Sequence, residues 1–228
     1  DDMHKVDDQK RDPLKMERLM RSYARNVEQA AAPKTLIRDM TGDGESTPLA
    51  METVDDYSAV LRSVFLLEQI DPWRPNLRSK YRIGKKPKYH YVDPSIAAAL
   101  LGATPKKLMA DFETLGFLFE ALCLRDILVY AQAIRAQVHF YRDQEGLEAD
   151  AIVEGEDGAW GAIEVKLGED KVPKGIANLK RLAGKIASNP AARKPEPEFM
   201  MVVTGVSPMW RQDPESGVYV VPITALEP

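Results

Sequence analysis

Apolar side chains recur at helical spacing through the first third of the chain and at strand spacing through much of the last third. Over residues 13–31, Leu14, Met16, Leu19, Met20, Tyr23 and Val27 form a ragged helical stripe behind Pro13, a residue suited to a first helical turn. Pro33 ends that pattern, residues 34–40 predict a short second helix, and Thr41-Gly42-Asp43-Gly44 reads as a loop. Residues 48–68 predict a third helix with Val54, Tyr57, Leu61, Val64 and Phe65 on one face. Helix, short helix, turn, helix is the grammar of a helix-turn-helix domain.

The pattern then changes. Gly84-Lys85-Lys86-Pro87 predicts a tight turn, and Lys88-Tyr89-His90-Tyr91-Val92 alternates like a strand. A helix is expected after Asp93-Pro94 through Leu101, stopped by Gly102, and a long apolar helix over 105–130. Strands follow at 138–142, 147–153 and 160–167, with Asp143-Gln144-Glu145-Gly146 turning the chain between the first two. Residues 173–188 predict an amphipathic helix with Ile176, Leu179, Leu182 and Ile186 on one side, and short strands are expected at 199–203 and 218–221. This order is that of a layered α/β domain.

Composition narrows the picture. Hydrophobic residues make up 44% of the 228, enough for a packed core. The formal net charge of −4 excludes a wholly basic nucleic-acid surface, so any phosphate contact needs a local patch. One exists: Arg74, Arg78, Lys80, Arg82, Lys85, Lys86 and Lys88 fall between Asp71 and Asp93 with no acid among them. They could form a wing that contacts a DNA or RNA backbone; a solvated hairpin is the alternative, and for a charge run alone the better one. The single cysteine, Cys123, lies in an apolar run and reads as a small core residue in a reducing compartment.

No apolar run approaches the roughly 20 residues of a membrane span, and no signal peptide is visible, so a cytoplasmic protein is expected. The chain opens Asp1-Asp2-Met3, and residues 1–12 alternate acids with Lys5, Lys10 and Arg11 as a linker would. The expectation is a fragment of a longer protein, with an expression scar as the alternative. No phosphate-binding Gly-rich loop or nucleophile elbow is present, and His4, His90 and His139 are scattered.

The sharpest chemistry lies in two acidic segments, Glu148-Ala149-Asp150 and Glu164-Val165-Lys166. With a side-chain period of two, Glu148 and Asp150 share one face of their strand, and Glu164 and Lys166 share one face of theirs. A two-residue turn at Glu156-Asp157 would put the acids on opposite faces. A three-residue turn at Glu156-Asp157-Gly158 would oppose Asp150 to Glu164 at about 5 Å between Cβ atoms. Two carboxylates so placed could grip Mg²⁺, a hard cation that prefers oxygen. Lys166 would face the same side, where an ammonium can orient water or stabilise phosphate charge. Glu120, in an apolar helical run, could complete the site, or could emerge on the solvent face. The competing reading of Glu164 and Lys166 is a surface salt bridge on an edge strand.

The motifs, taken in order, resemble a known family. They are Lys88-Tyr89-His90-Tyr91-Val92-Asp93-Pro94, Leu100-Leu101-Gly102, Gly116-Phe117-Leu118-Phe119-Glu120, Phe140-Tyr141-Arg142, Glu148-Ala149-Asp150-Ala151-Ile152-Val153 and Ala162-Ile163-Glu164-Val165-Lys166. Together they look like the C-terminal region of bacterial and archaeal AAA-type ATP-binding proteins, which carries a domain of unknown function with a PD-(D/E)xK nuclease-like core. Residues 57–73, with Phe65-Leu66-Leu67 and Pro72-Trp73, resemble the helix-turn-helix that precedes this core.

The resemblance implies a winged helix-turn-helix domain over 13–92 and a restriction-endonuclease-like α/β domain with a mixed sheet over 93–228, an α+β assembly as a whole. It implies that Glu120, Asp150, Glu164 and Lys166 form the nuclease-superfamily site, with Asp150 and Glu164 holding Mg²⁺ or Mn²⁺. It also implies a preceding ATPase domain, outside this chain, that would bind ATP. DNA, that ATPase domain and a protein partner are the expected contacts, with no membrane. A non-catalytic regulatory module is the alternative function.

Overall fold

The structure, a computed structural model, describes residues 11–29, 33–41, 50–75 and 87–227. Residues 1–10 of the linker expected over 1–12, the loop residues Gly42, Asp43 and Gly44, and the turn residues Gly84, Lys85 and Lys86 lie outside the described residues. The chain divides into two interleaved units, one made of Asp1–Gln69 and Lys88–Ala121, the other of Ile70–Pro87 and Leu122–Pro228. Among the described residues, no helix is long and apolar enough to cross a membrane.

The first unit is mainly helical. It holds α1 (Pro13–Arg25), α2 (Pro33–Thr41), α3 (Met51–Ser63), α4 (Pro94–Leu100), α5 (Pro105–Ala110) and the start of α6 (Phe112–Ala133). Two strands, β1 (Leu67–Ile70) and β2 (Lys88–Tyr91), pair as a separate small sheet. Proline at the first turn and a side-chain cap start α1 and α4: Asp12 Oδ1 accepts from Leu14 N at 2.9 Å, and Asp93 Oδ1 from Ser95 N at 2.8 Å. Met16, Leu19, Met40, Val54 and Leu61 are buried together at the centre. Tyr23 and Tyr91 are buried with their hydroxyls satisfied, by Ser58 Oγ at 2.8 Å and by the Met20 carbonyl at 2.7 Å.

Two expected helices are shorter than their patterns. The one expected over 48–68 stops at Ser63. Phe65 takes a left-handed φ of 56°, Leu66 N donates to Leu61 O at 2.9 Å, and the chain leaves as β1. The apolar run 64–67 fits a helical period equally well, and pairing with β2 decides against it. The helix expected over 105–130 is broken at Asp111. Its carboxylate accepts from Thr114 N at 3.1 Å and from Thr114 Oγ1 at 2.7 Å, the capping geometry of a new helix. Gly102 does end α4, with φ of 61° and Ala103 N donating to Ala98 O at 2.9 Å.

The second unit is a mixed six-stranded sheet with helices, so the chain is α+β. Strands β3 (Gln137–Arg142), β4 (Glu148–Glu154) and β5 (Trp160–Lys166) run as an antiparallel meander. Helix α7 (Val172–Ala187) crosses over to β6 (Phe199–Thr204), which lies parallel to β5. The two-residue β7 (Arg211–Gln212) and β8 (Tyr219–Pro222) complete the order β3-β4-β5-β6-β8-β7.

Helix α7 buries Val172, Gly175, Leu179, Leu182 and Ile186. Leu179 and Leu182 join Ile152, Trp160, Ala162, Val202 and Val220 of the sheet in one core. Trp73 and Trp160 pack with ring centroids 4.7 Å apart. Residues 71–73 run along the free side of β3, where Phe140 N donates to Asp71 O at 3.2 Å and Trp73 N to Phe140 O at 2.7 Å. Cys123 is fully buried.

The β4–β5 turn is the three-residue form. Gly155 N donates to Ala159 O at 2.8 Å, closing Glu156, Asp157 and Gly158, and Gly158 has φ of 80°. A Cβ at Gly158 would meet nothing within 4 Å, so only backbone strain opposes substitution there. Gly158→Ala is therefore expected to destabilise the second unit by about 1–2 kcal/mol, read as a lower urea midpoint at unchanged slope.

Candidate functional site

The turn fixes what the strands present. Glu154 opposes Trp160, Ile152 opposes Ala162 and Ala151 opposes Ile163, so the next position along this register sets Asp150 against Glu164. Asp150 Oδ2 accepts from Val165 N at 2.7 Å, tying the carboxylate to the neighbouring strand's backbone. On its other side β4 carries a bulge. His139 opposes Ile152 and Tyr141 opposes Ala149, leaving Asp150 and Ala151 together against Phe140. Bulges add local twist to a strand, and here the bulge falls at Asp150 and Ala151.

Lys166 closes the cluster. Its Nζ donates to Val165 O at 2.9 Å, to Asp150 Oδ2 at 3.3 Å, and to Glu164 Oε2 in the shortest contact of the three. Three oxygens thus converge on one cation. From α7, Asn178 Nδ2 donates to the other Glu164 oxygen, Oε1, and to the Glu148 carbonyl. Gly175 lets α7 come this close: a Cβ there would lie 3.1 Å from Val202 Cγ2 and 3.5 Å from Lys166 Cγ. The Glu164–Lys166 pair is not a surface bridge on an edge strand. Strand β5 lies between β4 and β6, and the Glu164 side chain is 4% exposed.

Burial, and then the charge of Asp150, push the Glu164 carboxyl up to about 7 against the pull of Lys166 and Asn178. For Lys166, burial alone would lower the ammonium, but the two carboxylates outweigh it and the net shift is upward. Lys166 is therefore a fixed positive charge at neutral pH, whereas Glu164 exchanges its proton near it.

The structure brings Asp150, Glu164 and Lys166 together in the second unit. Glu120 belongs to the first unit, with its side chain 19% exposed and Oε1 3.9 Å from Lys88 Nζ, so it is not on an open solvent face. Lys88, read above as one end of the basic stretch, has a side chain only 7% exposed. Arg74 is half-buried in the second unit. Arg78, Lys80, Arg82, Lys85 and Lys86 lie outside the described residues. His90 is buried beside Glu68 at 3.2 Å, and His139 lies 3.8 Å from Glu154.

Among the described residues, no group of three or more His, Cys, Asp or Glu side chains is arranged around a common metal position. The donors at the cluster are two carboxylates and the Val165 carbonyl, all hard oxygens of the kind Mg²⁺ accepts. Sequence reasoning missed Asn178. Its signal is a polar residue within the buried stripe of α7, three positions after Gly175 and one before Leu179.

Residues 1–107 match the family model described as domain of unknown function DUF8612, and residues 115–226 match that described as domain of unknown function DUF4143. None of the curated proteins compared with the chain matches it. Among solved structures, the chain is similar to one from a refined half-complex of the tetradecameric assembly of Thermococcus gammatolerans McrB AAA+ hexamers with bound McrC. The likeness covers 92% of this chain and 70% of that one at 10% identity and a TM-score of 0.31, too loose to bear on the fold.

Two outcomes follow from the buried charges. The folded chain holds the Glu164 proton between its ordinary 4.5 and about 7, where the unfolded chain releases it, so Glu164 makes stability fall as pH rises through that window. Glu164→Gln should flatten this part of the pH–stability curve, measured by thermal unfolding between pH 4.5 and 8. Lys166→Met leaves the carboxylates uncompensated and should cost about 3–5 kcal/mol at pH 8. The loss should be smaller at pH 5, where Glu164 takes up its proton.

Proposed function

We propose that this chain is the C-terminal region of an AAA-type ATP-binding protein, with a winged helix-turn-helix followed by a PD-(D/E)xK nuclease-like core that hydrolyses phosphodiesters with Mg²⁺ or Mn²⁺. The observation that carries the proposal is the convergence of Asp150 Oδ2, Glu164 Oε2 and the Val165 carbonyl on one cation position, now filled by the Lys166 ammonium. The order of α1, α2, α3, β1 and β2, with the basic stretch falling in sequence between the two strands, supports the winged-helix part.

Asp150, Glu164 and the Val165 carbonyl would hold the ion. Bound there, it would act as a Lewis acid on the phosphate and lower the pKa of a coordinated water. Lys166 would swing off the carboxylates and donate to a non-bridging phosphate oxygen, where charge builds in the transition state. Asn178 would keep Glu164 Oε1 engaged, leaving Oε2 to face the site. A Glu164 carboxyl near neutrality would need to lose its proton before serving as a ligand.

A second reading draws on the ammonium itself. Lys166 already pairs with both carboxylates, which suits a nuclease-like scaffold that only binds DNA or a protein partner and regulates the attached ATPase. Cleavage of single- and double-stranded DNA with Mg²⁺ or Mn²⁺ separates the two. The hydrolytic reading expects cutting that falls at least a hundredfold in Glu164→Ala and Lys166→Ala, with both variants checked for folding by circular dichroism. Equal cutting by both variants would rule it out. No metal-dependent cutting by the parent chain, together with salt-sensitive DNA binding, would favour the scaffold.

A further inference from the structure

The loop after β6 is built around a buried serine. Ser207 is 8% exposed, and its backbone N donates to Thr204 Oγ1 at 3.3 Å. Its hydroxyl donates to Glu169, in the short 3-10 turn Glu169–Lys171 that follows β5. The other oxygen of Glu169 takes the Arg211 guanidinium, which also reaches Ser207 Oγ at 3.4 Å. Gly205 N donates to Leu167 O at 3.3 Å. The loops after β5 and β6 are thus tied together at the carboxyl ends of those strands, immediately beyond the register partners Lys166 and Thr204.

Above this pinned foot stand Val206, Met209 and Trp210, which are 62%, 68% and 61% exposed. The other two tryptophans, Trp73 and Trp160, are 5% and 1% exposed. An indole held in water by an ion pair and a buried hydroxyl contributes nothing to the core, and such exposed apolar groups mark contact surfaces. Cationic side chains follow β5 on the same segment: Lys171, 64% exposed with its Nζ 3.3 Å from the Asp170 carboxylate, and Lys174, exposed on the first turn of α7.

We propose that Trp210, with Met209 beside it, is a stacking platform for an unpaired base of a single-stranded nucleic acid whose backbone runs past Lys171 and Lys174 toward Lys166. The proposal rests on reading the cluster as a phosphodiester site. Every base has a π-face, so an exposed indole stacks without regard to sequence. A paired base is already stacked on both sides and shows only its edges in a groove, so a pinned, protruding indole selects single strands.

The test uses the 228-residue chain in EDTA, which suppresses cutting, with a thymidine oligonucleotide as probe. Titration should quench tryptophan emission, because Trp210 alone of the three tryptophans faces solvent. A duplex of equal length should quench less. Trp210→Ala should weaken single-strand binding about tenfold, and Trp210→Phe should recover most of it, with circular dichroism unchanged in both. Absence of quenching with equal affinity in Trp210→Ala overturns the proposal, as does equal quenching by duplex. Self-association of the parent chain that Trp210→Ala abolishes, with no nucleic-acid dependence, also overturns it and assigns the loop to a second copy. Quenching without metal-dependent cutting supports the platform and removes the hydrolytic reading, whereas cutting without quenching does the reverse.

Discussion

The second unit depends on a single register. Gly158 can take the left-handed conformation that a three-residue turn needs, and that turn sets Asp150 beside Glu164. A turn one residue shorter would send every side chain of β5 to the other face of the sheet. The acids would then be parted, and Ala162 would leave the core it shares with Leu179 and Leu182. The same constraint therefore selects both the packed face and the charged cluster, which is why the two cannot vary independently.

Within that register, opposing costs are balanced at close range. Burying Glu164 beside Asp150 is unfavourable, and Lys166 and Asn178 offset it by occupying defined oxygens. The bulge at Asp150 and Ala151 adds local twist to the strand that brings the aspartate to β5. Gly175 removes the one side chain that would hold α7 away from Val202 and Lys166. Each device is small, and together they place four polar side chains within hydrogen-bond reach in a largely apolar setting.

Much of this was legible in the residues. The three consecutive strands, α7 and the strand after it follow from period-two and helical patterns, and Gly158 pointed to the turn that sets the register. The bulge was hidden, because it depends on how β3 pairs with the far side of β4 and on residues 71–73 bonded to Phe140. Strand β1 was hidden because the run from Val64 to Leu67 satisfies a helical period. The break before α6 was written in Asp111 and Thr114, a capping pair that a continuous apolar stripe masks. The burial of Lys88 against Glu120 has no local signature, since the partners come from separate elements.

The segment that runs along β3 has a consequence for assembly. An uncovered outer strand exposes unpaired amides and carbonyls that template the addition of foreign strands. Here Asp71 and Trp73 take up those groups on Phe140, and the opposite margin of the sheet is closed by β7, only two residues long. Sheet extension from copy to copy, the usual route to fibrous aggregates, is therefore interrupted at Phe140 on one margin and meets a strand of two residues on the other.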